Sequence, residues 1–230
     1  MSVQAEQIAV TLQNIQARIA AACARSQRNA NDVHLIAVTK YATISETTSA
    51  VDCGCTKLGE SKWPDYMLKW ETIGSRVEWH FIGHLQTNKV KPVVQAFDYI
   101  HSLDRHSLAK ELSKQAVQAD KIINAFIQVN VSGEESKYGL APDQVADFLK
   151  TVQALPGIRV VGFMTMAPFE EDAENTRVHF RRLRELRDQL QSQTWNQSAL
   201  ECLSMGMSND FEVAIEEGAT HIRIGSLLFE

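Results

Sequence analysis

The stretch HLIAVTKYAT, residues 34–43, runs from an apolar core into a single ammonium. Leu35, Ile36, Ala37 and Val38 form an unbroken apolar run, the pattern of a strand covered on both faces as in a parallel sheet. Thr43 with Glu46 three residues on makes a capping box, which predicts a helix running to Gly54, a natural stop. Further apolar runs follow at 56–60, 77–83, 99–103, 124–131, 158–164, 200–205 and 221–225. Helical spacing fills the gaps, clearest in PDQVADFLKTVQAL from Pro142 and over 173–191. Counted from residue 34, about eight strands alternate with helices. That order and length predict a (β/α)8 barrel in one domain, with a doubly wound open sheet as the alternative. Before it, Ile8, Leu12, Ile15, Ile19 and Ala22 put one apolar stripe on an added amino-terminal helix within residues 1–28.

The 230 residues are 44% hydrophobic, enough for one continuous core. A net charge of −5 gives no field to hold nucleic acid or an anionic membrane, so a small-molecule partner is expected. The amino terminus lacks the basic and apolar regions of a signal peptide, and no stretch is long enough to span a bilayer. A cytoplasmic location is expected. Cys23, Cys53, Cys55 and Cys202 fit neither a disulfide framework nor a zinc pattern, so four reduced thiols are expected and no metal. Arg181, Arg182, Arg184 and Arg187 read as a solvated helix face.

Barrel chemistry is assembled where strands end. Strand one delivers Lys40 there. In a low-dielectric mouth its pKa would fall, leaving a neutral amine able to form a Schiff base with an aldehyde. The segment LSMGMSNDFEVAI places Ser204, Gly206 and Ser208 in a loop leading into a helix, a phosphate cradle in form. The last strand adds HIRIGS, whose alternation puts Arg223 on the same face as Gly225. An amine facing a phosphate cradle calls for a phosphorylated aldehyde, and pyridoxal 5′-phosphate (PLP) matches. A guanidinium beside the pyridine nitrogen would disfavour its protonation and weaken the ring as an electron sink.

With LIAVTK, LGES, WHFIGHLQTNK, IHSLD, QVNVSGEESKYGL, GFMTM, LSMGMSND and GATHIRIGSLLF in that order, the chain resembles the pyridoxal phosphate homeostasis protein family from about residue 34 onward. The resemblance implies a monomeric barrel of the alanine racemase amino-terminal type, with Lys40 as the Schiff-base lysine and Arg223 as partner of the pyridine nitrogen. It implies Ser208 and Gly225, with Ser204 nearby, at the phosphate, and Met164 lining the ring pocket. It also carries over His80 and Asn88 near the mouth and Lys137 on a loop above it. The family reads Gly-Glu-Asn where this chain has Gly59-Glu60-Ser61, so the contact made by Ser61 is shorter in reach. Trp63 before Pro64 disfavours a helix there, which predicts a displaced helix start.

Racemases of this barrel take a second acid/base from an added carboxyl-terminal domain, for which the sequence leaves no room after Gly225. The expectation is therefore a PLP carrier without catalytic turnover, handing its cargo to apoenzymes. A PLP-dependent racemase or decarboxylase is the alternative, and a cofactor-free aldolase using Lys40 is a third.

Overall fold

A computed structural model describes residues 3–134 and 137–229. Its strands β1 (His34–Val38), β2 (Lys57–Glu60), β3 (Glu78–Phe81), β4 (Tyr99–Leu103), β5 (Ile123–Gln128), β6 (Ile158–Met164), β7 (Cys202–Ser204) and β8 (His221–Ile224) close into a parallel barrel in sequence order. Around it lie α1 (Val3–Arg25), α2 (Ile44–Asp52), α3 (Met67–Ile73), α4 (Val90–Ala96), α5 (His106–Gln118), α6 (Val145–Val152), α7 (Arg177–Gln191), α8 (Phe211–Glu216) and the short α9 (Ser226–Phe229). The capping box forms as expected: Thr43 Oγ1 accepts from the Glu46 amide, and the Glu46 carboxylate accepts from the Thr43 amide. Gly54 ends that turn with φ +106°.

Alternation along the strands decides what faces the barrel axis. A Cβ on Gly59 would touch Ile36, Val38 and Ile82, which marks these as inward positions. The same parity turns His34, Lys57, Glu78, His80 and, beyond the strand ends, Lys40 and Ser61 inward. In β8 it selects His221, Arg223 and Gly225. The opposite parity gives Ala37, Leu58, Trp79, Phe81, Ile222 and Ile224 to the layer between barrel and helices, all buried. Lys40 and Gly225 are thus brought to one rim: Ile36 pairs with Arg223, and a Cβ on Gly225 would meet Val38 at 3.3 Å.

The segment after Ser61 carries a cis Trp63–Pro64 peptide, and α3 begins only at Met67. Tyr66, fully buried there, packs edge-on against Trp63 and Phe97 and donates to the Pro92 carbonyl at 3.2 Å.

The arginine-rich face of α7 is solvent-exposed at Arg181 and Arg182, as expected, but part of it is engaged in ion pairs. Arg177, Arg181 and Arg184 converge on Glu217, which is only 4% exposed. Arg177 also pairs with Glu216, while Arg18 and Arg25 of α1 pair with Glu212 and Glu216. Arg28 donates to the carbonyls of Ile215 and Ala219. The basic residues thus fasten α1 and α7 onto α8, because a carboxylate at the edge of the core needs compensating charge.

Burial by itself would raise the Glu217 pKa, but hydrogen bonds from Arg181 and Arg177 outweigh it and hold the carboxyl below its usual range. A depressed folded-state pKa contributes stability above the unfolded value of about 4.3 and loses it as pH falls. Glu217→Gln is therefore expected to lower stability by about 1–3 kcal/mol at neutral pH, with variant and parent converging in acid. Urea unfolding at pH 7 and pH 3.5 checks this. Equal midpoints at pH 7 would refute the assignment.

Candidate functional site

Lys40 follows β1 by two residues, in a turn closed by the Ala42 amide donating to the Thr39 carbonyl at 2.9 Å. Its side chain is exposed, with Nζ 4.9 Å from the centre of the Tyr41 ring. This corrects the expectation of an amine sunk in a low-dielectric mouth. An ammonium with no buried anion keeps its water, and the ring face offers a weak cation–π contact at no desolvation cost.

The turn is gripped from behind. Thr39 and Glu60 have the outward parity, and Lys69 of α3 reaches between them. Lys69 Nζ donates to the Thr39 carbonyl and, at 2.9 Å, to Glu60 Oε1; Thr39 Oγ1 donates to the same oxygen at 2.6 Å. Lys69 and Glu60 are 7% and 1% exposed, so the pair is sealed from screening. Nothing in the sequence reading marked Lys69: one lysine in a short helix carries no pattern.

Across the rim lies the serine loop. Ser208 Oγ sits 3.4 Å from both the Gly225 and the Leu227 amides, which point at it. Gly206 turns the loop with φ +91°, and a Cβ there would press to 2.6 Å from Ala214 Cβ, so only glycine fits. Asp210 Oδ1 accepts from the Met207 amide at 2.6 Å, and Asn209 Nδ2 donates to the Glu170 carbonyl at 2.9 Å. Long amide contacts to one hydroxyl leave those donors free for a stronger acceptor such as a phosphate oxygen.

Ser204 is not part of that cradle. It is fully buried on β7, accepts from Arg223 Nη1 at 2.6 Å and meets His101 Nδ1 at 2.8 Å. The reason is depth: Ser204 is an inward residue within β7, whereas the cradle forms beyond the strand end. Arg223 is 5% exposed and also donates to the Thr165 carbonyl at 3.0 Å. Burial lowers its pKa to about 10, partly opposed by the Asp210 charge, so it stays a cation at neutral pH.

His80 is likewise absent from the mouth. It is fully buried, stacked on Tyr99 at 4.5 Å, and bonded to His101 Nε2 and Glu78 Oε1, both at 2.9 Å, toward the amino ends of the strands. A histidine ring on the third residue of a four-residue strand lies too deep to reach the rim. His101, unassigned from sequence, is its partner; its place two residues after Tyr99 on one strand was the available signal.

Met164 ends β6, buried and paired in register with Ser204. Ser61 is half-buried beyond β2, its carbonyl so close to Gly83 that a Cβ there would approach to 2.2 Å. Asn88 is exposed on the turn Thr87–Lys89. Lys137 Nζ pairs with Glu134 at 2.9 Å on the loop after β5. The thiols are free, and among the described residues no cluster could hold a metal ion. No helix among them is long and apolar enough to cross a membrane.

The rim therefore brings together the exposed Lys40 amine and an anion cradle, with the buried Arg223 guanidinium below. Residues 10–230 match the family model for the alanine racemase N-terminal domain. A pyridoxal phosphate homeostasis protein of Aquifex aeolicus is 44% identical over 219 residues, covering 95% of each chain. A crystal structure of a protein of unknown function from Bifidobacterium adolescentis superposes with a TM-score of 0.94 at 32% identity, over 100% of this chain and 97% of that one. The structure of PipY from Synechococcus elongatus with PLP bound superposes with a TM-score of 0.85 at 32% identity, over 97% of this chain and 100% of that one. With these motifs on this barrel, the chain belongs to the pyridoxal phosphate homeostasis proteins, within the alanine racemase N-terminal domain family.

Proposed function

We propose that this protein binds PLP reversibly at the barrel rim and serves intracellular PLP homeostasis, releasing the cofactor to the amine of an acceptor such as a PLP-dependent apoenzyme. The observation that carries the reading is the register of β1 against β8, which brings Lys40 to the same rim as the Ser208, Gly225 and Leu227 cradle, with Arg223 below. The donor set suits the ligand. Ser208 and the two amides would take the phosphate, Arg223 the pyridine nitrogen, Met164 one face of the ring, and Lys40 the aldehyde carbon.

PLP, when bound, supplies an aldehyde that condenses reversibly with primary amines. The rest is done by the chain. The exposed position of Lys40 leaves its amine within reach of an incoming amine, as exchange of cargo requires. Arg223, cationic at neutral pH, disfavours a proton on a neighbouring ring nitrogen, which suits holding over turnover. The Lys69 and Glu60 pair keeps the Thr39 carbonyl, and with it the Lys40 turn, in one place.

Borohydride reduction of the PLP-loaded protein is expected to fix one pyridoxyl group on Lys40, located by peptide mass spectrometry, and Lys40→Ala should abolish the yellow absorption. An adduct elsewhere would defeat the assignment. Transfer of PLP to an apoenzyme without stoichiometric protein loss supports carriage, whereas sustained deuterium exchange at the α-carbon of an amino acid would show an enzyme instead.

Lys69→Met leaves Glu60 buried without its cation, so a loss of about 3 kcal/mol in stability is expected. The double variant Lys69→Met with Glu60→Leu removes both charges and should recover most of that loss. Its Lys40 turn stays unclamped, so PLP affinity should remain well below that of the parent. Recovery of both together would show that the pair serves stability alone.

A further inference from the structure

Below the rim, four hydrogen bonds cross the barrel from Arg223 to Glu78, and their donor order can be deduced. Guanidinium has no acceptor, so Arg223 Nη1 donates to Ser204 Oγ at 2.6 Å. At the other end Glu78 is a carboxylate. Burial would raise its pKa, but hydrogen bonds from His80 and Lys57 bring it down to about 2. It can only accept, so His80 Nε2 carries a proton and donates to Glu78 Oε1 at 2.9 Å. Burial lowers the pKa of His80 and holds that of His101 well below the ordinary value, so each ring keeps a single proton. His80 Nδ1 is then an acceptor, taking the Nε2 proton of His101 at 2.9 Å. His101 Nδ1 in turn accepts from the Ser204 hydroxyl at 2.8 Å. The reverse order would set a lone pair of His80 against a carboxylate.

The rings are held to this pattern. His80 stacks on Tyr99 at 4.5 Å and His101 on Phe126 at 4.3 Å. His221, whose ring centre is 6.0 Å from that of His80, is occupied by Thr220 Oγ1 at 2.9 Å. His34 lies against His221 at 4.9 Å between ring centres. Lys57 secures the far end at 2.7 Å from Glu78. Glu78 itself lines a cavity of about 550 Å³ at the amino ends of the strands, with Arg76 and Lys121.

We infer that Glu78 is a positioning residue for Arg223, acting from the opposite end of the barrel: its carboxylate orders the protons of His80, His101 and Ser204 so that Ser204 presents only lone pairs to the guanidinium. The link to the cofactor rests on the PLP reading above; the proton order does not.

The test uses the full-length protein in two arms. In the PLP-free protein at pH 7, ¹⁵N NMR of the imidazoles should show His80 and His101 both protonated on Nε2. In Glu78→Gln, Lys57 holds the amide oxygen and the amide NH₂ faces His80, so both rings should switch to Nδ1–H, and the resolved Arg223 Nη signals should shift. A wild-type Nδ1–H ring at either position, or unchanged tautomers in Glu78→Gln, overturns the ordered chain. His101→Leu should lose the resolved Arg223 Nη1 signal, and His101→Asn, which keeps an acceptor for Ser204, should restore it; equal signals in both variants overturn the positioning role.

In the PLP arm, Glu78→Gln and His101→Leu should displace the cofactor absorption band and weaken binding about tenfold, with His101→Asn close to wild type. Switched tautomers with unmoved Arg223 signals and an unmoved band would also overturn the positioning role. Wild-type protein that takes up no PLP would defeat the proposed function, and the NMR arm would still decide the chain.

Discussion

A closed barrel gives every second strand residue an inside place of fixed volume, and that constraint organises this molecule. The usual filling is branched hydrocarbon in layers. Here Ile36, Phe126 and Met164 supply some of it, while His80, His101, His221, Tyr99 and Arg223 occupy much of the rest. Burying such groups unpaired would cost several kcal/mol apiece. His80, His101 and Arg223 are tolerated because each meets a partner of opposite hydrogen-bonding character, in a chain that ends on a carboxylate and a guanidinium. The chain from Glu78 to Arg223 is therefore one cooperative unit: removal of any member strands its neighbours.

The same parity explains how far the sequence could be read. Strand positions and the barrel were legible because apolar runs and helical spacing alternate without interruption, and because Thr43 with Glu46 and Gly54 punctuate the first βα unit locally. That Lys40, Ser208, Arg223 and Gly225 lie near one another was legible, since each sits close to a strand end. Depth was not legible. Ser204 and His80 lie in motifs that also contain rim residues, and a motif does not say which of its members stops short of the surface. Lys69 and Glu217 were missed for a different reason: their partners, Thr39 and Glu60 in one case and three arginines of α7 in the other, are set by packing between elements.

Lys40 and Lys69 show how one fold separates two uses of the same side chain. Both lie near the end of β1. Lys69, on the outward parity side, is sealed against Glu60 and can serve only as a fixed cation. Lys40, one residue beyond Thr39, falls on the inward parity at the rim and meets only the face of Tyr41. A nucleophile must be able to reach its target, and an amine held between Glu60 and the Thr39 carbonyl cannot. The split places the buried charge behind the strand and leaves the exposed amine in front.

That division also bears on why a binding site would carry so rigid a floor beneath so open a rim. Groups set in place beforehand lose little freedom when a ligand binds. The Ser208 hydroxyl with the amides of Gly225 and Leu227 is fixed by the Gly206 turn and by Asp210, and Arg223 by Ser204 and the Thr165 carbonyl. With the serine loop and the guanidinium both held in place, the Lys40 turn is the part of the rim left facing solvent.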